Sequence, residues 1–237
     1  MPFLNVDIFD DLPLRLRPTV NPYVKRLTEA QSDSSLPLMF GSQLRNMRGQ
    51  WRQFFSERMG RPVEKIILEI GVHKGKVFQS LAQDNPNYGV VGIDITMKRV
   101  VLSAQSVVNT GAKNAMLILG NAKFLTQLFD KDELDGVLIF FPDPWNQKKN
   151  QLKKRLINEE FCAQLHSVLC DQGFFWLKTD CAHYFEEALV HMEKLGFEKV
   201  SKSPFEKPYE SVFESRFKKK NEQTFEQTLT KSPSSSL

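Results

Sequence analysis

The sequence predicts an α/β domain in which helices cover both faces of a mostly parallel sheet. From residue 64 onward, short apolar segments alternate with segments that have the apolar spacing of amphipathic helices. Strands separated by helices pair in parallel and are buried on both faces. With 237 residues, 41% of them hydrophobic, the chain can enclose one substantial core.

Five strands are predicted in this region, and two further segments complete a seven-stranded sheet. The five strands span residues 65–71, 89–95, 115–120, 134–141 and 173–179. The segments "FEKVSKS" (197–203) and "ESVFESRF" (210–217) are expected to form edge strands. Amphipathic helices are predicted between the strands, at residues 76–84, 97–109, 122–130, 153–170 and 182–195.

The composition divides the chain into three parts. Residues 1–45 are rich in Pro, Ser and Arg, which predicts an N-terminal arm that is partly flexible. Residues 46–221 hold the α/β domain, which begins with a helical segment near "QWRQFFSERMG". Residues 222–237 end in "TKSPSSSL" and predict a disordered tail, because this segment has few apolar side chains to bury.

Charge and cysteine content restrict the class of protein. The three cysteines, Cys162, Cys170 and Cys181, form no CxxC pair, which indicates reduced thiols in a cytoplasmic protein without a metal site. The N-terminus lacks the features of a signal peptide, and no apolar run approaches the ~20 residues that cross a bilayer. We therefore expect no membrane partner, and either a monomer or a homodimer.

The carboxyl ends of the predicted strands carry two glycines and three acids. Gly71 suits the tight turn after the first strand, and Gly75 would let a ligand approach the next helix N-terminus. Glu69, Asp94 and Asp143 lie at the ends of the first, second and fourth strands, at one edge of the sheet. Three carboxylates favour a cationic ligand, and the turn lacks the middle glycine of a dinucleotide site. We therefore predict S-adenosyl-L-methionine, with its sulfonium, ammonium and ribose, rather than NAD.

Two features of this region leave alternatives open. His73 and Lys74 could serve a phosphate, or they could belong to a solvated loop. Asn121 follows the third strand, where its amide could hydrogen-bond an adenine or simply stabilise a turn.

The fourth strand ends in an unusual Pro-Asp-Pro-Trp turn. Pro142 and Pro144 restrict the backbone on either side of Asp143, so this carboxylate has little freedom to move. Trp145 adds a flat ring that could cover a base or the cofactor. This stiffness suits a site that aligns two reactants, although an ordinary turn with Trp145 packed inward is the alternative.

Basic residues cluster in three places, which favours a large polyanion over a small substrate. The first group directly follows the Pro-Asp-Pro-Trp turn and could also be a solvated helix face. The three groups are Lys148, Lys149, Lys153, Lys154 and Arg155; Arg216, Lys218, Lys219 and Lys220; and Arg45, Arg48 and Arg52.

Six segments together resemble the bacterial TrmB-type tRNA (guanine-N7)-methyltransferases. They are "EIGVHKG", "GIDITMKRV", "FPDPWNQKK", "LKKRL", "FWLKTD" and "FESRF", and they lie in the family's order over about residues 48–220. The resemblance implies a Rossmann-like class I methyltransferase fold. It also implies methyl transfer from S-adenosyl-L-methionine to N7 of a guanine in the tRNA variable loop, at position 46.

The resemblance also implies roles for individual residues. Glu69, Asp94, Asn121 and Asp143 would contact the cofactor, and Asp143 would be the catalytic residue. Gln147, Asp180, Ser211, Val212, Phe213 and Glu214 would contact the RNA or the target base. Because one carboxylate can accept bonds from both N1–H and the amine of guanine, Glu214 or Asp180 is expected to bind the base.

The chain departs from the family pattern at several site positions. His73 stands where the family usually has glycine, Asn121 where it has an acid, and Gln147 where it has lysine. Phe213 replaces a tyrosine, and Asp94 replaces a common glutamate. These departures motivate an alternative, a catalytically impaired tRNA-binding protein on the same scaffold.

Overall fold

The computed structural model describes Phe9 and residues 22–33, 36–146 and 149–233, which form an α/β fold. Its sheet has the order β1-β4-β3-β2-β5-β6-β8-β7, parallel from β1 to β6, with β8 antiparallel to both neighbours. The predicted fold class is confirmed, with eight strands rather than seven in the described ranges. The strands are β1 (Leu38–Phe40), β2 (Lys65–Ile70), β3 (Tyr88–Asp94), β4 (Ala115–Leu119), β5 (Leu134–Phe140), β6 (Leu169–Thr179), β7 (Phe197–Val200) and β8 (Phe225–Lys231).

Helices cover both faces of the sheet. Alternate residues of β2 enter two separate cores: Ile66 belongs to the core that contains Phe161, and Ile67 belongs to the core that contains Phe78. No helix in the described ranges has the length and apolar character needed to cross a membrane. The helices are α1 (Pro22–Asp33), α2 (Trp51–Met59), α3 (Lys76–Asp84), α4 (Met97–Thr110), α5 (Leu125–Leu128), α6 (Glu159–Val168), α7 (Ala182–Lys194) and α8 (Val212–Lys219).

Two segments of the predicted domain differ from expectation. Residues 210–217 form most of α8 and not an edge strand, because Ser211 caps the helix by accepting a hydrogen bond from the Glu214 N–H at 3.1 Å. The predicted helix 153–170 begins only at Glu159, after a 3-10 segment at Lys149–Lys154.

The predicted domain boundaries are too narrow at both ends. The sheet includes β1, which pairs with β4 and lies within the predicted N-terminal arm. The prediction of a disordered tail is wrong for β8, which lies between β6 and β7 and buries Leu229 completely. This strand has little apolar pattern of its own, and its pairing partners decide its conformation. Residues 234–237 lie outside the described ranges.

The strand order reverses between β2 and β5, which sets the position of the site. From β2 the chain passes outward through β3 and β4, and it then returns to β5 on the other side of β2. In open parallel sheets, ligands bind outside the carboxyl ends of the strands at this point. The turns after β2, β3 and β5 therefore define the candidate site.

Candidate active site

Glu69 places a buried carboxylate one residue before the end of β2. Its side chain is 4% exposed, and its Oε2 atom has no hydrogen-bond partner among the described residues. Burial, together with the nearby charge of Asp94, raises the pKa of the Glu69 carboxyl to about 8. A buried carboxyl without a full set of partners is suited to binding a cationic ligand.

Asp94, at the end of β3, holds the turn that follows β2. Its Oδ2 atom accepts a hydrogen bond from the His73 N–H at 3.3 Å, and its Oδ1 atom accepts one from the Thr96 N–H at 2.8 Å. Arg99 Nη1 lies 3.7 Å from Oδ2. The structure thus brings Glu69 and Asp94 together at one end of the sheet, as predicted from their positions.

The two glycines of the turn have different roles. Gly71 has φ +84°, and a Cβ atom placed there would meet nothing within 4 Å, so the space above it is open. Gly75 has φ +71°, and a Cβ atom there would lie 2.8 Å from Ser103 Oγ on α4. The positive φ and the packing of α4 both favour glycine at position 75, and the approach of a ligand there stays a prediction.

His73 and Phe213 meet over the cleft that Glu69 and Gly71 line. Their ring centroids are 4.8 Å apart, and both residues belong to the wall of this cleft, together with Ser211. His73 has φ +49°, a backbone conformation that a glycine would adopt without strain. Burial, followed by the charge of Arg99, lowers the pKa of the His73 imidazole. The His73 ring, packed against Phe213, therefore forms part of the cleft wall.

These residues fit S-adenosyl-L-methionine. Glu69 contributes a buried carboxyl with an unused oxygen, and Asp94 contributes a second acid at the next strand end. The open space above Gly71 gives a ligand access to the turn. The Oδ1 atom of Asn121 accepts a hydrogen bond from the Lys123 N–H at 3.0 Å. In this structure Asn121 therefore stabilises the turn after β4, which was the alternative to an adenine contact.

The turn after β5 presents Asp143 to solvent. Phe141 has φ +54°, and its N–H donates to the Lys178 carbonyl at 2.7 Å, which continues the pairing with β6 beyond the strand end. Asp143 is exposed, and Trp145, with φ +43°, is 37% exposed and so is not packed inward. Asp143 and Trp145 line a cleft of about 250 Å³, together with Pro144, Asn146 and Gln151.

Arg155 does not face solvent, which contradicts its predicted role as a phosphate contact. Its side chain is 3% exposed and forms an ion pair with Glu187. Lys153 and Lys154, which precede it, are exposed, and Lys154 Nζ lies 5.0 Å from the centroid of the Trp145 ring. Two members of the basic group therefore remain available to a polyanion beside Asp143.

Glu214 is also occupied, which contradicts its predicted role in binding the target base in this structure. Its Oε2 atom lies 3.0 Å from Lys178 Nζ, and its Oε1 atom lies 3.1 Å from Lys218 Nζ. Asp180, directly after β6, is exposed. Of the two acids predicted to bind the guanine, only Asp180 is open.

The other predicted basic residues lie in different places. Arg48 and Arg52 pair with Asp130 and Asp135 near the amino end of β5, the opposite edge of the sheet from the site. On α8, Arg216 is exposed, as are the neighbouring lysines Lys218, Lys219 and Lys220. Gln147 and Lys148 lie outside the described residues.

Comparison with known proteins identifies the family. The family model described as "Putative methyltransferase" matches residues 63–230. The chain is 32% identical over 150 residues to a tRNA (guanine-N(7)-)-methyltransferase of Geobacillus kaustophilus (strain HTA426), covering 63% of this chain and 66% of the relative. It is 32% identical over 149 residues to the protein of the same name from Streptococcus agalactiae serotype III (strain NEM316), covering 63% and 68%. The chain belongs to the TrmB-type tRNA (guanine-N7)-methyltransferase family.

The family assignment agrees with the fold. A solved structure of a 16S rRNA (adenine(1408)-N(1))-methyltransferase variant from Catenulisporales acidiphilia, with SAM as cosubstrate, matches with a TM-score of 0.55. The two chains are 13% identical, and the match covers 78% of this chain and 93% of the other, which is a likeness of fold. The predicted family is confirmed, and with it the predicted cofactor, S-adenosyl-L-methionine.

The structure adds site residues that sequence reasoning did not assign. Lys178, Tyr184 and Glu187 support the turns around the site, and none was singled out beforehand. Lys178 lies in the quoted segment "FWLKTD", so the motif contained a signal. Tyr184 and Glu187 lie on an ordinary amphipathic helix, where only the tertiary contacts distinguish them from surface and core residues.

Proposed function

We propose that this protein transfers a methyl group from S-adenosyl-L-methionine to N7 of guanine 46 in the variable loop of tRNA. The observation that carries the proposal is the placement of Glu69, Asp94 and Asp143 at the carboxyl ends of β2, β3 and β5, where the strand order reverses. The names of the relatives support tRNA as the substrate. The exposed Lys153 and Lys154 support a polyanionic substrate, since Lys154 lies 5.0 Å from the Trp145 ring of the same turn as Asp143.

The chemistry requires little of the protein beyond alignment and charge stabilisation. When bound, S-adenosyl-L-methionine supplies an activated methyl group on a sulfonium. Guanine N7 has a lone pair and no proton, so no general base is needed. Asp143, which is exposed, would stabilise the positive charge that develops on the purine, and its flanking prolines limit its motion.

Other residues would bind the two reactants. Glu69 and Asp94 would hold the cationic and hydroxyl groups of the cofactor, because Glu69 lines the cleft and Asp94 holds the adjoining turn through the His73 N–H. Asp180 would accept bonds from N1–H and the amine of the guanine, since Glu214 is already paired with two lysines. Lys153 and Lys154 would contact phosphates.

The direct test is methyl transfer from labelled S-adenosyl-L-methionine to unmodified tRNA, with the modified nucleoside identified after digestion. We expect N7-methylguanosine, and we expect it to disappear when guanine 46 of the tRNA is replaced by adenine. Another methylated nucleoside would overturn the proposed target, and methylation that survives the replacement would overturn the position.

The contact between His73 and Phe213 favours a second candidate, a tRNA-binding protein that no longer uses the cofactor. The two rings meet over the cleft in which Glu69 lies. Calorimetric titration with S-adenosylhomocysteine separates the two functions. Binding supports the methyltransferase, whereas tRNA binding without any binding of S-adenosylhomocysteine supports the impaired scaffold.

A further inference from the structure

Arg155 lies beneath the Pro-Asp-Pro-Trp turn and holds it through one backbone atom. Its Nε atom donates a hydrogen bond to the carbonyl oxygen of Pro144 at 2.7 Å. Pro144 directly follows Asp143. Pro142 and Pro144 have no N–H of their own, so the turn lacks two donors that could otherwise attach it to the fold. Arg155, from outside the turn, attaches the turn to the fold by donating a hydrogen bond to the Pro144 carbonyl.

The same guanidinium is attached to helix α7. Nη1 of Arg155 forms an ion pair with the Glu187 carboxylate and lies 3.4 Å from His183 Nδ1. The guanidinium carbon lies 4.7 Å from the centroid of the Tyr184 ring. Tyr184 is itself fixed, because it is 1% exposed and its hydroxyl accepts the Ile157 N–H at 2.8 Å.

The contacts of Arg155 leave it no role as a phosphate ligand in this structure. The residue is 3% exposed, while Lys153 and Lys154 directly before it are exposed. A guanidinium presents several N–H donors in one rigid plane, so it can bond a carbonyl and a carboxylate at once. A lysine at this position would keep the positive charge, but it could not direct N–H donors at the Pro144 carbonyl and the Glu187 carboxylate in one rigid plane.

We propose that Arg155 is a positioning residue that anchors Pro144 to α7 and thereby fixes Asp143, with Glu187 holding Arg155 in place. The inference rests on the proposed function, because the carboxylate it fixes is the one assigned to the reaction. The basic segment Lys153–Arg155 then has two separate tasks. The exposed lysines bind RNA, and the buried arginine orients the turn on which the reaction occurs.

The kinetic test compares Arg155→Lys and Glu187→Gln with a matched control, Glu186→Gln. Glu186 is the adjacent carboxylate on α7 and is exposed, so its variant makes the same charge change away from the anchor. We expect kcat at saturating tRNA to fall about 10- to 100-fold in Arg155→Lys and Glu187→Gln, since small misplacement of a reacting group has effects of this size. We expect KM for tRNA and the salt dependence of binding to stay at the wild-type value, because neither variant removes a phosphate contact.

A second measurement reports the turn without requiring activity. The chain has three tryptophans, of which Trp51 and Trp176 are 0% and 1% exposed, whereas Trp145 in the turn is 37% exposed. Quenching of tryptophan fluorescence by acrylamide therefore reports mainly Trp145. We expect stronger quenching in Arg155→Lys and Glu187→Gln than in the wild type, and no change in Glu186→Gln.

The outcomes separate this proposal from the proposed function. A raised KM and a reduced salt slope in Arg155→Lys, with Glu187→Gln unaffected, would make Arg155 an RNA contact and overturn the anchor. Unchanged quenching in both variants would also overturn it. A wild-type protein without methyl transfer would overturn the proposed function, while the quenching measurement would still decide whether Arg155 holds the turn.

Discussion

Lys178 Nζ lies 3.0 Å from Glu214 Oε2, and both side chains are buried. The pair joins the carboxyl end of β6 to the first turn of α8, the helix that carries Phe213 at the cleft that Glu69 lines. Lys178 Nζ also donates to the Tyr209 carbonyl at 3.0 Å and lies 5.0 Å from the centroid of the Phe140 ring. The buried Lys178 ammonium thus holds Tyr209 and the start of α8 beside β6, where Phe213 forms part of the cleft wall.

Removing this ammonium should destabilise the protein strongly. Lys178→Met leaves the Glu214 carboxylate buried without its nearest cation, and loss of one partner of a buried pair costs about 3–5 kcal/mol. Urea unfolding of Lys178→Met measures the change. The double variant Lys178→Met, Glu214→Gln should lose less than the sum of the single variants, because it removes both charges of the buried pair.

Lys199→Met is the matched control for this prediction. Lys199 pairs with Glu193 at 2.6 Å, but its side chain is 48% exposed, so the change should stay within about 0.5 kcal/mol. If Lys178→Met were as mild as Lys199→Met, the buried pair would not hold α8 in place.

Glu69 should make stability decrease with pH. Its carboxyl has a pKa of about 8 in the folded protein against an ordinary value of 4.5, so between these values the folded state keeps a proton that the unfolded state releases. The stabilisation is fully present below about pH 4.5 and is lost as the pH rises to about 8. Glu69→Gln has no such proton, so its stability relative to the wild type should rise across this window. Urea unfolding of both proteins at the two ends of the window tests the sign, and a constant difference would contradict it.

The same carboxyl should make cofactor binding depend on pH. The ammonium group that S-adenosylhomocysteine shares with the cofactor favours ionised Glu69. The affinity for S-adenosylhomocysteine should therefore increase as the pH rises toward 8, with release of a proton on binding. Calorimetry in buffers of different ionisation enthalpy measures that proton. Glu69→Gln should bind more weakly and release none at this site, and an equal release from both proteins would assign the proton to another group.

Asp143→Ala should affect turnover far more than RNA binding. The variant loses the carboxylate proposed to stabilise the developing charge, and removal of one such group typically lowers kcat about 10²- to 10³-fold. Because Asp143 is exposed on a turn that the prolines and Arg155 hold, the fold should be unaffected. Single-turnover kinetics and a filter-binding assay give the two quantities, and equal losses in both would argue against a catalytic role.

Lys153 and Lys154 should determine much of the salt dependence of tRNA binding. Replacing both with alanine removes up to two phosphate contacts, which should reduce the slope of log K against log salt by up to about 2. Arg48→Ala is the control, because Arg48 pairs with Asp130 at the other edge of the sheet. If the salt dependence of binding changed in Arg48→Ala and not in the lysine variant, the RNA would bind at the edge of the sheet that carries Arg48.

The sequence determined the central strands β2 to β6, the turns after them and the acids at the strand ends. Strong apolar periodicity defines β2 to β5 without help from partners, and position along the chain then places Glu69, Asp94 and Asp143 at one edge. The motifs after these strands were specific enough to indicate the family and its cofactor, which the comparisons confirm.

Only the tertiary structure decided which charged side chains are open to a ligand. Arg155, Glu214 and Lys178 are as polar as Lys153 and Asp180 in the sequence, yet the first three are buried and the last two are exposed. Similarly, β8 is a strand because β6 and β7 pair with it. Position 75 favours glycine because Ser103 on α4 packs against it. Burial and ion pairing depend on residues distant in the chain, such as Glu187 for Arg155. The local sequence pattern therefore cannot predict which charged side chains are buried.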